Sequence, residues 1–185
     1  MRVILASKSP RRKELLGELF GDFEIMVSDV DETLEDGVDT LHGVEILSVR
    51  KGAPVAESNP DALVISSDTL VELDGVALGK PKDSADAKEM LKSLSGRSHN
   101  VHTGVAVHYK GRLFSGVATS TVYFKELSDY EIDSYVASGA PMDKAGSYGI
   151  QGEAGKFVLR YDGDFDTIVG LSLRLTKELI DKALK

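Results

Sequence analysis

The stretch HNVHTGVAVHYKGRLFSGVATSTVYF (99–124) determines the fold class of this chain. It is rich in β-branched and aromatic residues, which predicts two strands, His99–His108 and Arg112–Phe124, joined across Lys110-Gly111. Strands joined by so short a turn run antiparallel, because a parallel pair needs a long crossover. A purely parallel, doubly wound sheet is therefore not expected.

Strands and helices alternate along the rest of the chain, as hydrophobic periodicity and turn residues indicate. The segments 62–65 and 70–73 form either one long strand or two short ones, and Gly52 and Pro54 are expected to interrupt the helix that contains them. Predicted strands lie at 3–6, 23–27, 62–65, 70–73, 76–78 and 157–161, and predicted helices at 10–20, 41–57, 84–94, 128–138 and 171–184. The fold class is therefore α/β with a mixed sheet.

Composition restricts the function classes. The chain has 185 residues, 22 basic and 30 acidic, with a net charge of −8 and no cysteine. Disulfides, thiolate zinc sites and cysteine nucleophiles are thereby excluded. The negative charge disfavours nucleic acid or an anionic membrane as a partner. The apolar run Val3–Ala6 is too short for a signal peptide or a membrane span, so a cytoplasmic protein is expected.

The first segment with a chemical signal begins the first predicted helix. Ser9 is a good N-cap and Pro10 suits the first helical position. The next residues, RRK (11–13), place positive charge where the helix dipole disfavours it, by ~0.3–1 kcal/mol per charge. A bound anion would reverse that effect. The alternative is an exposed basic helix start that balances Glu14 and Glu18.

The second segment is SSDT (66–69), which interrupts an apolar strand pattern. Its carboxylate, Asp68, either faces solvent or is held as a general base or metal ligand, and the spacing does not decide between these. Gly79-Lys80-Pro81 follows, but the spacing and the proline do not match a P-loop, and the chain has no G-x-G-x-x-G.

The third segment is DKAGSYGIQG (143–152), whose glycines allow the backbone to approach a ligand or to turn with positive φ. Gln151 offers one acceptor and two donors, which suits the edge of a nucleobase. The alternative is an ordinary surface loop. His99 and His102 are three residues apart on a predicted strand and face opposite sides, so a shared metal is not expected.

Taken together, these segments resemble the Maf family of nucleotide pyrophosphatases, and the resemblance covers nearly the whole chain. The matching stretches occur in family order: LASKSPRRKELL (5–16), DVDET (29–33), ISSDTLV (65–71), GKP (79–81), LSGRSHNVHTGV (94–105), DKAGSYGIQG (143–152) and IVGL (168–171). Two departures from the family pattern are Gly52, where alanine usually follows Lys51, and Ser172, where the family has proline.

The resemblance implies an enzyme that cleaves a nucleoside triphosphate between the α and β phosphates, with Mg²⁺ or Mn²⁺ as cofactor. It also implies one domain, 1–185, with two lobes around a central cleft. The fold would be an elongated mixed sheet with flanking helices, similar to inosine-triphosphate pyrophosphatases. Family members are often dimers, so a homodimer is expected.

The resemblance also assigns roles residue by residue. Asp68 matches the proton acceptor that activates water, and Glu32 matches an acidic residue near the metal, so both are candidate metal ligands. The positions that contact phosphate match Ser7, Arg12, Lys51 and Lys80. The positions that mark the branch acting on dTTP and UTP match Arg11, Thr69 and Gln151.

Two other functions stay open at this stage. One is a nucleotide-binding module that does not hydrolyse its ligand. The other is the same chemistry on 7-methyl-GTP or on a damaged purine nucleotide. The carboxylates of Asp68 and Glu32 favour an enzyme, because without a metal they would only repel a triphosphate.

Overall fold

A computed structural model describes all residues, 1–185, and contains seven strands and six α-helices. The strands are β1 (Val3–Leu5), β2 (Glu24–Ile25), β3 (Leu63–Leu73), β4 (Val76–Leu78), β5 (Ser98–Tyr109), β6 (Arg112–Phe124) and β7 (Val158–Asp162). The helices are α1 (Pro10–Gly17), α2 (Thr40–Ser58), α3 (Ser84–Leu94), α4 (Asp129–Ala137), α5 (Phe165–Val169) and α6 (Leu173–Ala183). Short 3₁₀ turns lie at Ala140–Asp143, Ala145–Ser147 and Glu153–Phe157.

The strands form one mixed sheet in the order β2-β1-β3-β5-β6-β7, and β4 pairs with β3. β1 is parallel to β2 and β3, whereas the β3–β4 and β6–β7 pairs are antiparallel. Lys110 and Gly111 have φ values of 50° and 73°, as a tight hairpin turn between β5 and β6 requires. The predicted α/β class with a mixed sheet is confirmed.

The structure decides between the two alternatives for segment 62–73 and contradicts one prediction for α2. The SSDT segment lies inside one continuous strand, β3, and α2 runs through Gly52 and Pro54 without a break. A proline inside a helix costs about 3 kcal/mol, but α2 buries Val44, Leu47 and Val55 along its length. The packing of this buried face keeps the helix continuous, so the predicted interruption was wrong.

The chain divides into two compact units, and the first comprises Met1–Thr69, Thr103–Ala118 and Gly170–Lys185. Its core includes a cluster in which residues of β1 and β3, and residues next to these strands, pack against α2. The members are Ile4, Ala6, Val55, Ala62 and Val64. The first unit thus packs α2 against β1 and the first half of β3.

The second unit comprises Leu70–His102 and Thr119–Val169. Its core packs α3 and α4 around aromatic rings, and Phe124 contacts the rings of His99, Tyr148 and Phe157 at centroid distances of 5.0, 4.7 and 6.1 Å. Ser128 caps α4 and forms the predicted capping box with Glu131. The single domain with two lobes around a cleft stays a prediction.

None of the six helices is both long and apolar enough to cross a membrane.

Candidate active site

The start of α1 presents Arg12 to three acceptors in the first unit. Ser9 is the N-cap, as predicted, and its side chain accepts the backbone N–H of Arg12. The Arg12 guanidinium donates from Nε to the carbonyl of Gly170 at 2.8 Å, from Nη1 to Ser7 Oγ at 3.4 Å, and from Nη2 to Thr69 Oγ1 at 3.3 Å. Since these acceptors are uncharged, they orient the guanidinium without neutralising it.

The charge of Arg12 is held in a half-buried place. Burial lowers the pKa of Arg12 below its ordinary value, whereas the negative charge of Asp68 acts in the opposite direction. The neighbouring Arg11 also lowers this pKa, and Glu32 raises it. Two arginines close together, one of them half-buried, make the start of α1 favourable for an anion.

A second cluster joins Lys51, Asp68 and Glu32. Lys51 Nζ lies 2.5 Å from Asp68 Oδ1 and 3.0 Å from Glu32 Oε2. The Asp68 side chain is 9% exposed and that of Lys51 is 19% exposed, while that of Glu32 is 57% exposed. A buried carboxylate requires a charged or hydrogen-bonded partner, and Lys51 is such a partner for Asp68.

The donor set at this cluster fits a divalent cation. Glu32 and Asp68 direct carboxylate oxygens at one ammonium group, so two hard oxygen donors already converge on a cation. The chain holds no group of three or more His, Cys, Asp or Glu side chains arranged for a metal ion. Mg²⁺ commonly takes only one or two protein carboxylates and completes its shell with water and substrate phosphates. Glu32 and Asp68 are suited to that incomplete arrangement.

α2 packs closely on β3 at Gly52, the residue after Lys51. A Cβ on Gly52 would lie within 3 Å of both Ser66 Oγ and His108 Nε2, so the departure from the family alanine has a steric reason here. Ser66 Oγ also donates to the carbonyl of Ser48, one turn before Lys51, at 2.7 Å. Residues 48–52 of α2 therefore lie directly against the Ser66 position of β3.

Gly170 and Ser67 also belong to this arrangement, although the sequence analysis did not select them as site residues. Gly170 has a φ of 129°, which favours glycine, and its carbonyl accepts from Ser67 Oγ at 3.0 Å as well as from Arg12. The only sequence signal was the IVGL motif (168–171).

The second departure from the family pattern, Ser172, is the N-cap of α6, and its side chain accepts from the N–H of Leu175 at 3.3 Å.

Lys80 and Gln151 belong to the second unit, and both are exposed. The carbonyl of Gly79 accepts the N–H of Gly146 at 3.0 Å, so the GKP and DKAGSYGIQG segments are in contact. Gly146 has a φ of 67°, and a Cβ there would contact Val71 at about 3 Å, so this turn requires glycine.

Tyr148 ties the same glycine-rich segment to the core of the second unit. Its hydroxyl lies 2.6 Å from Nε2 of His99, and both side chains are buried. Burial lowers the pKa of His99 to about 4 and raises that of Tyr148, so both are neutral near pH 7. His102 instead contacts Thr119 Oγ1 through Nδ1 at 2.8 Å, so the two histidines have separate partners.

The structure thus connects six of the residues to which the family resemblance assigns a role, all of them within the first unit. Ser7, Arg12 and Thr69 form one hydrogen-bonded group, and Lys51, Asp68 and Glu32 form the other. Charge interactions of Arg12 with Asp68 and Glu32 link the two groups. A buried carboxylate beside fixed cations is an arrangement that can activate water next to a bound polyanion.

The fold and these residues identify the class of protein. The model of the Maf-like protein family matches residues 2–183, and the chain belongs to this family. Its fold is also similar to that of the Staphylococcus aureus Ham1 protein, with a TM-score of 0.52 and 18% identity over 97% of this chain and 91% of that one. This similarity supports the fold alone.

Similar proteins carry a more specific name. A dTTP/UTP pyrophosphatase of Bacillus cereus (strain AH820) is 49% identical over 180 residues, which cover 96% of this chain and 94% of that protein. A dTTP/UTP pyrophosphatase of Bacillus cytotoxicus is 46% identical over 179 residues, with the same coverage of both chains. The identification of the Maf family from ordered motifs is confirmed.

Proposed function

We propose that this protein hydrolyses dTTP and UTP at the α–β phosphoanhydride and releases the nucleoside monophosphate and pyrophosphate. The observation that carries the proposal is the buried carboxylate of Asp68, held by Lys51 and placed within charge interaction of Arg12. Relatives that are 46–49% identical over 96% of the chain and are named dTTP/UTP pyrophosphatases support the same conclusion.

In the proposed reaction, Asp68 is the general base. It accepts a proton from a water molecule whose oxygen forms a bond to phosphorus while the P–O bond of the α–β anhydride breaks. The bonding electrons leave with pyrophosphate, so no covalent enzyme intermediate is required. Arg12, with its planar fork of donors, binds phosphate oxygens and stabilises the charge that develops on them.

Further phosphate contacts are proposed for Ser7, Lys51 and Lys80. A nucleoside triphosphate carries about four negative charges, which these basic residues and a cation would offset together. The ammonium of Lys51 already lies beside the carboxylate of the proposed base. A phosphate oxygen of the substrate would join Asp68 and Glu32 as an anionic partner of this ammonium.

We further propose Mg²⁺ or Mn²⁺ as the cofactor, held by Glu32 and Asp68. When bound, such an ion supplies Lewis-acid stabilisation of the phosphate charge. The convergence of both carboxylates on one cationic group supports this assignment. The contribution of the chain is to hold the two carboxylates in place and to keep Asp68 within reach of Lys51.

Gln151 is proposed to recognise the pyrimidine base, with Arg11 and Thr69 as the other specificity residues. Replacing Gln151 with Leu is expected to lower kcat/KM for dTTP and UTP about tenfold, because the base edge loses its hydrogen-bond partners. Rates with a panel of nucleotides measure the effect, and Glu153→Gln in the same exposed segment is the control. An unchanged preference in Gln151→Leu would remove this residue from base recognition.

The experiment that tests the proposed function is a substrate panel. The purified protein is incubated with Mg²⁺ or Mn²⁺ and dTTP, UTP, CTP, GTP, inosine triphosphate or 7-methyl-GTP, and pyrophosphate and monophosphate are quantified. Equal amounts of both products from dTTP and UTP are expected. Release of inorganic phosphate would contradict the assigned bond, and about tenfold faster turnover of a modified purine nucleotide would contradict the substrate class. Binding of dTTP without product would show a binding module.

We also propose that the enzyme acts in the cytoplasm as a homodimer and binds no nucleic acid. A cytoplasmic location suits a substrate from the nucleotide pool, and the net charge of −8 disfavours nucleic acid.

The edge strand β7 carries two exposed apolar side chains that could contact a second copy of the chain. Leu159 is 70% exposed and Tyr161 is 41% exposed. Light scattering during gel filtration measures the mass of the particle.

A further inference from the structure

Arg50 immediately precedes Lys51 on α2, and the proposed site gives it no role. Its Nη1 donates to the carbonyl of Asp31 at 2.7 Å and to that of Thr33 at 2.7 Å. These two carbonyls belong to the residues on either side of Glu32. A single guanidinium nitrogen therefore holds the backbone both before and after a proposed metal ligand.

The segment that carries Glu32 needs such support. Residues 26–39, between β2 and α2, contain no helix or strand, so side-chain contacts have to hold Glu32 in place. Ser28 Oγ donates to the carbonyl of Lys51 at 3.2 Å, and the N–H of Thr33 donates to Asp31 Oδ1 at 2.8 Å. The Arg50 hydrogen bonds are shorter than the Ser28 hydrogen bond and are charge-assisted, so they are the stronger contacts between this segment and α2.

The direction of the Arg50 side chain is also informative. Its Nη1 binds neutral carbonyls, while the carboxylate of Glu32 contacts Lys51. A guanidinium paired with that carboxylate would compete with any other cation for its oxygens. By binding the backbone instead, Arg50 can order the segment and leave the Glu32 carboxylate beside Asp68.

We propose that Arg50 is a positioning residue that fixes Glu32 for divalent-cation binding. The inference rests on the proposed function, in which Glu32 and Asp68 hold the ion. Without Arg50, the segment would sample other backbone conformations, and each cation-binding event would have to reorder it. The loss should therefore appear in cation affinity and not in the proton transfer to Asp68.

The first test is the Mn²⁺ dependence of pyrophosphate release by Arg50→Met. The Mn²⁺ concentration for half-maximal rate is expected to rise about tenfold, as for a ligand that must reorder one or two residues. At saturating Mn²⁺, kcat and the KM for dTTP should stay close to the wild-type values. A lower kcat at every Mn²⁺ concentration with an unchanged half-maximal concentration would overturn the proposal.

A matched control is available in Arg112, which lies 3.5 Å from each of two backbone carbonyls, those of Lys182 and Ala183 at the end of α6. Arg112→Met removes the same kind of contact from a segment that carries no proposed site residue. Its Mn²⁺ dependence should equal that of the wild type. Urea unfolding of both variants separates a local effect from a loss of folding.

The second test measures binding without turnover. Free Mn²⁺ is followed by electron paramagnetic resonance in the presence of the protein and a non-hydrolysable dTTP analogue. Arg50→Met should bind Mn²⁺ about tenfold more weakly than the wild type. In a Glu32→Gln background, where the ligand carboxylate is already lost, the same change should have little further effect. Additive losses, or tighter Mn²⁺ binding by Arg50→Met, would overturn the proposal.

The assays distinguish a failure of the proposed function from a failure of the proposed role of Arg50. If the wild type releases no pyrophosphate from any nucleotide, the proposed function fails. If the wild type is active and Arg50→Met matches it in both assays, only the role of Arg50 fails.

Discussion

Replacing Asp68 with Asn is expected to lower kcat for dTTP about 10²- to 10⁴-fold, the usual contribution of a general base. The amide has nearly the same shape as the carboxylate but cannot accept a proton from water. Lys51 keeps its contact with Glu32 at 3.0 Å, so its ammonium is not left without a charged partner. Circular dichroism and urea unfolding should show a folded protein, and single-turnover measurements of pyrophosphate give the rate.

The control for this experiment is Asp61→Asn, which changes an exposed aspartate just before β3. It alters the net charge by the same amount and should leave kcat unchanged. Turnover close to the wild-type value in Asp68→Asn would show that another group accepts the proton. The proposed roles of Arg12 and Glu32 could then stand, but the assignment of the base would not.

The second large effect is expected for Arg12. Arg12→Met should lower kcat/KM for dTTP about 10²- to 10³-fold, because a preoriented charged donor is lost from the phosphate site. Lysine at this position keeps the charge but not the planar fork, so Arg12→Lys should fall between the methionine variant and the wild type. Initial rates at several dTTP concentrations measure kcat and KM separately.

Lys13→Met is the matched control for Arg12→Met, since Lys13 is an exposed cation on the same turn of α1. The control should lose at most a small part of kcat/KM, and that part should decrease further at high salt, where exposed charges are screened. Because Arg12 also contacts Gly170, urea unfolding of both variants is compared first. Equal values of kcat/KM in the two variants would contradict a specific role for Arg12.

Local patterns were sufficient for most elements of the fold. The Lys110-Gly111 turn, the capping box of Ser128 with Glu131 and the start of α1 at Ser9 and Pro10 involve neighbouring residues and short-range sterics. Such local signals carry no information on tertiary packing. The sequence analysis therefore predicted a break in α2 at Pro54, where the burial of one helix face outweighs the local cost.

Local patterns were likewise insufficient to predict the contacts of the candidate site. The ordered motifs identified the family and selected Ser7, Arg12, Lys51, Asp68 and Glu32 as site residues, although their contacts could not be read from spacing. Gly170 was missed because it acts through its backbone carbonyl, which any residue type supplies, and Ser67 was missed because its hydroxyl donates to that same carbonyl. Arg50 was missed for the same reason, since its acceptors are the main-chain oxygens of Asp31 and Thr33.

The sequence was therefore enough to predict the α/β class, the hairpin, the helix caps, the family and the residue types of the chemistry. Two sets of contacts became visible only in the folded chain: the guanidinium of Arg12 binds a carbonyl 158 residues away, and Lys51 joins Asp68 to Glu32. The difference is one of range along the chain. Turns and caps depend on a few adjacent dihedral angles and hydrogen bonds, whereas these contacts depend on how distant segments pack in the folded chain.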